Sequence, residues 1–264
     1  MVFDPQIRVA GQAGTRATQR GFSVVDLMVS MAVMALLVAI LLPSLVSANE
    51  MARRAKCASN IRQLGLGVQM YAYEHGEVVP PSTFNAMAMA GRDSSSQDTI
   101  YVRLDGHDFP GDRQLTGVMW DGLGHLASLN YADAPNVYYC PSHTGDHPFS
   151  KYRETWLQRT GTIADNYQYR ISNPGQRLSS LKRNVTMIAD GMRTQLDYNH
   201  RVGNNMLKAD LSIQWYSDTT GLLFGLLPEN DTAARAGSSV NRAWEALDNP
   251  HTEGDHQSTS QGGN

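Results

Sequence analysis

The sequence predicts an α+β fold: a long N-terminal helix, first transmembrane and then amphipathic, packed on a small antiparallel β-sheet head. Three observations predict it. Residues 21–46 are almost unbroken apolar, long enough to cross a bilayer core as a helix. After them Ile61, Leu64, Val68 and Tyr71 recur at three- and four-residue steps, one face of a helix. Beyond residue 130 come short β-rich segments bounded by Pro, Gly, Asn and Asp, and strands that follow a helix in this way form an antiparallel sheet. The expected organisation is a leader over 1–21, a helix over 22–74 with 22–46 in the membrane, a head over 75–228, and a polar, disordered tail over 229–264.

The leader carries Arg8, Arg16 and Arg20 against Asp4, a basic flank of the kind that precedes an apolar export core. The core is interrupted by one charge, Asp26, and one proline, Pro43. A carboxylate inside a membrane span costs about 2.5–3.5 kcal/mol on insertion scales and calls for a cationic partner. Pro43 removes a helix hydrogen bond and is expected to bend or locally unwind the helix. Arg53, Arg54 and Lys56 follow the span. They oppose the usual cytoplasmic bias of positive charge, but the leader arginines come first and set the head outside.

The amphipathic half continues with Leu66, Met70 and Tyr73 widening the stripe, and with Gly65 and Gly67 marking close packing. Gly76 and Pro80-Pro81 end the helix. At 1.5 Å per residue, residues 22–73 would run to roughly 75–80 Å. Residues 82–117 read as irregular, with an exposed loop at 92–98. A short helix is expected over 122–130, and strands over 137–140, 166–171, 185–189, 205–208, 211–216 and 222–227, with Asp190-Gly191 closing one of them. A short amphipathic helix is expected at 240–247, and disorder from His251.

Charge and motifs narrow the function classes. The chain of 264 residues has a net charge of -3, and loss of the net +2 leader leaves about -5. Nothing suggests a nucleic-acid surface. No G-x-S-x-G, H-E-x-x-H, P-loop or G-x-G-x-x-G is present, so no enzyme activity is expected. The two cysteines, Cys57 and Cys140, either pair in an oxidising compartment or stay as buried thiols; closing so long a loop would contribute about 4–5 kcal/mol at most. Cys140, His143, Asp146 and His147 have metal-like spacing but no second half. His200, Asn204, Asn205 and Asp210 form either a structural hairpin cluster or a ligand site. Asp190, Asp197, Asp210 and Asp218 are oxygen donors of the kind calcium uses, without an assignable ligand set. No cofactor is expected. Tyr138, Tyr139, Trp156, Tyr167, Tyr169, Trp215 and Tyr216 are read as core, with a sugar- or protein-binding face as the rival.

The basic leader, Gly21, Phe22, the acid Asp26 at the fifth position after that glycine, and Pro43 within the apolar run closely resemble the prepilin signal of type IV pilins and type II secretion pseudopilins. The resemblance implies a pilin-like fold, cleavage between Gly21 and Phe22, and N-methylation by a prepilin peptidase. It also implies anchoring in the inner membrane, an exported head, and packing of the helices with other copies or other pilin subunits into a filament. In this reading Asp26 meets the Phe22 amine of an adjacent subunit. Asp26 departs from the usual glutamate by one methylene.

The head resembles the large pseudopilin-like proteins of planctomycetes through Cys140-Pro141-Ser142, Asn166-Tyr167, Ala189-Asp190-Gly191, and His200 and Asp210 with nine residues between them, the H-x9-DG pattern. Leu211 stands where that pattern has glycine.

Overall fold

The computed structural model describes residues 23–85, 98–105, 117–171, 175–230, 233 and 240–249. The leader, the Gly21–Phe22 junction, most of the loop at 92–98 and the stretch from His251 lie outside the described residues. The chain divides into two compact units, residues 1–48 and 49–264, and the architecture is α+β.

One helix, α1 (Val24–Glu74), runs 51 residues. Its start is a capping box. Ser23 Oγ accepts from Val25 N at 3.2 Å, and Asp26 Oδ2 accepts from Ser23 N at 3.2 Å. Asp26 therefore has a local role besides any it plays between molecules. From Val24 to Asn49 every side chain except Ser30 is exposed, and nearly all are apolar. Of the bend or local unwinding expected at Pro43, the unwinding does not occur: helix is unbroken through it. A single proline inside a long helix removes one hydrogen bond, and the flanking turns carry the backbone across.

In the second unit, Ile61, Leu64, Val68 and Tyr71 are buried, as the stripe predicts. Leu66, Met70 and Tyr73 do not widen it; they are exposed, because a step of two from Leu64 or Val68 turns a side chain some 200° away from the buried face. Gly65 and Gly67 do mark close approach: an added Cβ on Gly65 would lie 2.7 Å from Leu207 Cδ2, and one on Gly67 would lie 3.1 Å from Leu126 Cδ1. Gly76, with φ +64°, stands just past the helix end.

Among the described residues the head holds two antiparallel sheets. A small one orders β2 (Val118–Trp120), β1 (Tyr101–Asp105) and β3 (Ile163–Ala164). The larger one orders β4 (Tyr167–Tyr169), β5 (Thr186–Asp190), β6 (Gly203–Lys208) and β7 (Ile213–Ser217). Helix α2 (Gly124–Ser128), a 3-10 turn over Pro135–Tyr138 and helix α3 (Phe149–Gln158) lie in sequence between β2 and β3 of the small sheet. Helices α4 (Leu222–Leu226) and α5 (Val240–Asp248) follow.

The strand period of two splits the core across the larger sheet. Ile188 and Leu207 join the cluster built with Cys57, Ile61 and Leu64 of α1. Their neighbours Ala189 and Met206 join Leu223, Val240, Trp244 and Leu247 of α4 and α5. The sheet is thus covered on both faces. The aromatic residues named from sequence are core, apart from Trp215, which is half-buried under Arg54, 4.5 Å from its ring centroid. That contact gives Arg54 a place in the head, independent of the membrane.

Four expectations need correction. Residues 135–138 are a 3-10 turn and not a strand, since Pro135 fixes the first turn and Val137 N bonds Ala134 O. Residues 222–226 are helical, because the Asp218 carboxylate accepts from Leu223 N at 3.0 Å and Phe224 N at 2.9 Å and so caps a helix start. The stretch 82–117 contains β1, whose first four residues are buried on both faces and show no alternation. The head does not end at 228. Asp248 pairs with Arg170 at 2.6 Å and accepts from Thr186 N at 2.7 Å, and Lys208 Nζ bonds Leu247 O at 2.6 Å. These bonds fix the amphipathic α5 to the sheet.

Candidate functional site

The residues spaced by seven from Tyr71 back through Leu64 lead to Cys57 and then Glu50, so these four share one side of α1. Cys57 is fully buried and forms a disulfide with Cys140, across a separation of 83 residues. Around the two sulfurs the head gathers Asp190 from the end of β5 and His200 from the connection before β6. One ligand-type atom from each of Cys57, Cys140, Asp190 and His200 lies within 4.8 Å of all the others, and all four residues are buried.

Each member is held by a neighbour. Asn204 fixes the backbone of Asp190, accepting from its N at 3.0 Å and donating to its O at 3.2 Å. Asn205 donates to Asp190 Oδ2 twice, from its backbone N at 2.7 Å and its side chain at 3.0 Å. The other oxygen, Oδ1, stands 3.1 Å from Cys57 Sγ. Tyr167 OH lies 3.3 Å from the same sulfur and accepts from Asn60 Nδ2 at 3.3 Å. A disulfide sulfur carries no proton, so the Tyr167 hydroxyl is the donor. Ser142 N donates to Cys140 Sγ at 3.4 Å.

His200 is aligned from both ends. Its Nδ1 is 2.7 Å from Glu50 Oε1, while Ser142 Oγ donates to Glu50 Oε2 at 3.0 Å. With Nδ1–H given to the carboxylate, the Nε2 lone pair faces inward, 3.5 Å from Cys140 Sγ and 3.4 Å from Asp190 Oδ2. The Trp215 ring meets the imidazole edge-on at 5.6 Å.

Electrostatics separates the two carboxyls. Burial pushes Asp190 up to about 6, against the pull of His200 and the Asn205 bonds. At Glu50 burial acts upward too, but the bonds from His200 and Ser142 outweigh it and hold the group below its ordinary value. Burial, then the Asp190 charge, pushes Tyr167 well above the usual phenol range. The arrangement sets a sulfur pair, an imidazole lone pair and a carboxylate around one point, excluded from water.

The motif residues named from sequence separate sharply. Cys57, Cys140, Tyr167, Asp190 and His200 meet. Asp210 does not: it sits exposed in the β6–β7 turn, where its Oδ1 accepts from Ser212 N at 3.0 Å. Leu211, at the glycine position, takes the left-handed conformation with φ +65°, so the turn keeps its shape with a side chain in it. Asn204 and Asn205 join the Asp190 end. Of the other metal-like set, His143 bonds Asn199 at 2.7 Å and its Nε2 accepts from His147 N at 3.3 Å, while Cys140 is spent in the disulfide. Asp190, Asp197, Asp210 and Asp218 have separate partners: the sulfur cluster, Thr194, the β6–β7 turn and the α4 start. Asp26 and Pro43 lie in the other unit, within α1. Glu50 and Asn60 went unnoticed in the sequence. Extending the Tyr71–Leu64 spacing by two more sevens would have found Cys57 and the acid Glu50.

No curated protein matches this chain, and no solved structure does. A family model described as "Protein of unknown function (DUF1559)" matches residues 46–195, a stretch that takes in Glu50, Cys57, Cys140 and Asp190. The match covers more than half of the sequence, and the chain belongs to that family.

Proposed function

We propose that this protein is a pilin-like surface protein whose job is structural. The observation that carries the reading is the first half of α1: apolar, exposed on all sides, with Asp26 its one charge. An unpartnered helix surface of that extent needs lipid or other helices around it. A prepilin peptidase cuts the leader after Gly21 and methylates the Phe22 amine. The helix then sits in the inner membrane with the head outside. From there it enters a type II secretion or type IV pilus-like filament among other copies or other pilin subunits. Asp26 has two carboxylate oxygens, so the cap bond from Ser23 and an amine contact from a neighbour are compatible. The protein acts by assembly and not by catalysis, and binds no nucleic acid. Support comes from the resemblance of the leader and the Asp26 position to prepilins and from the disulfide-stapled α+β head.

The deciding experiment is mass spectrometry of the protein isolated from its own cell envelope. The expected N-terminus is Phe22 carrying one added methyl group. An intact start at Met1, or a cut elsewhere, removes the basis of the proposal.

A further inference from the structure

We infer that the reduced chain binds one divalent metal ion, zinc by donor type, through Cys57, Cys140, His200 and Asp190. The cluster has the features of a built site. Four ligand-type atoms from four separate segments of the chain lie within 4.8 Å of one another in a buried space. Two sulfurs, one imidazole nitrogen and one carboxylate oxygen are donors that zinc accepts in tetrahedral sets. A disulfide used only as a staple needs apolar packing around it; a carboxylate and an imidazole aimed at its sulfurs are unexplained by that role.

The outer contacts match the same purpose. Glu50 accepts a hydrogen bond from His200 Nδ1–H at 2.7 Å, leaving the Nε2 lone pair toward the sulfurs, the carboxylate–histidine arrangement that orients a metal-binding imidazole. Asn205 occupies Asp190 Oδ2, so Oδ1 faces Cys57 Sγ. Tyr167 OH and Ser142 N each direct a hydrogen at one sulfur, as suits thiolates. Cys140 also lines a cavity of about 290 Å³ with Asn60 and His143, which gives an ion a way in.

Disulfide and metal use the same sulfurs and exclude each other. A dithiol reductant breaks the Cys57–Cys140 bond, supplying two electrons and two protons as its own disulfide forms. The metal then displaces the two thiol protons. The pair is therefore a device with two states, a covalent staple when oxidised and a metal clamp when reduced. This goes beyond the proposed structural role and does not depend on it.

The test uses the full-length chain in detergent, reduced with a dithiol that is then removed without oxygen, and cobalt(II) as the probe. Expected are a thiolate-to-cobalt charge-transfer band that saturates at one ion per chain, displacement by zinc, and no such band with the oxidised chain. Glu50→Gln should keep the band and weaken metal affinity about 10- to 100-fold; His200→Ala should weaken it at least as much. No thiolate band on the reduced wild type, a band on the oxidised chain, or unchanged affinity in both variants overturns the inference. Should reduction alone loosen the head, zinc present during reduction is expected to keep the circular-dichroism spectrum of the oxidised chain, and failure to keep it counts equally against the site.

Discussion

Glu50 Oε1 and His200 Nδ1, 150 residues apart in sequence, meet at 2.7 Å. Through this bond the head reaches back to α1 at the position where that helix enters the second unit, one residue beyond its first member, Asn49. Glu50 has a lowered pKa because the bonds from His200 and Ser142 outweigh its burial. A carboxyl lowered in the folded state contributes stability above its unfolded pKa and loses it as pH falls through the folded value. Glu50→Ala is expected to cost about 1 kcal/mol near neutral pH, a charged hydrogen bond discounted for its partial exposure. The cost should shrink on acidification below about pH 4. Urea unfolding of both proteins across pH would show it, and a cost that stays constant would contradict the assignment.

Asp121 gives the opposite sign. It accepts from Ser82 Oγ at 2.8 Å and Thr83 N at 2.6 Å, yet burial pushes it up to about 6. The folded state therefore holds the proton more tightly than the unfolded one. The stability is present at low pH and lost as pH rises from about 4 through about 6. Asp121→Asn can still accept from Thr83 N and can donate to Ser82 Oγ in place of accepting from it, with no charge to bury. Relative to wild type it should gain up to about 3 kcal/mol between pH 4 and pH 7. Denaturant midpoints measured at both ends of that range decide it; parallel curves would rule it out.

Two helical glycines should respond in opposite directions to alanine. A Cβ on Gly124 would run into the Val102 carbonyl oxygen, whereas one on Gly225 meets nothing within 4 Å. Gly124→Ala is expected to destabilise by about 1–3 kcal/mol through overpacking against backbone. Gly225→Ala should stabilise by about 0.5–1 kcal/mol, since the unfolded chain loses freedom and no contact is violated. Thermal midpoints of the two variants provide the check.

The sulfur bridge closes a loop across 83 residues. Cys140→Ala is expected to lower stability by about 2–5 kcal/mol. Alkylation of the denatured wild type without reductant should label neither cysteine; labelling of both would mean the bridge is not formed.

How much of this was legible in the sequence depended on whether a pattern was local. The buried face of α1 was, because spacings of three and four carry it, and strands β4 to β7 were, because β-rich runs between turn residues mark them even where both faces are buried. Strand β1 was not: the buried charge of Arg103 breaks its apolar run. The run at Leu222 reads as a strand from its apolar residues, and the Asp218 cap, which lies outside it, makes it a helix. The short motifs around Cys140, Tyr167, Asp190 and His200 could be picked out singly. That they converge on one point follows from sheet register, with Tyr167 opposite Asp190 and Ala189 opposite Met206, and register does not show in a single strand.

Because Cys57 is bonded to Cys140, the sulfur bridge is a covalent bypass around the intervening residues. A tug transmitted along α1 from its exposed end crosses the sulfurs directly to Pro141 and the chain beyond, including β4 to β7. The segment carrying α2, β1 and β2 hangs in a closed ring that bears no tension. Mechanical load would thus be shared unequally, and the half of the head inside the ring could loosen or rearrange without the tether giving way.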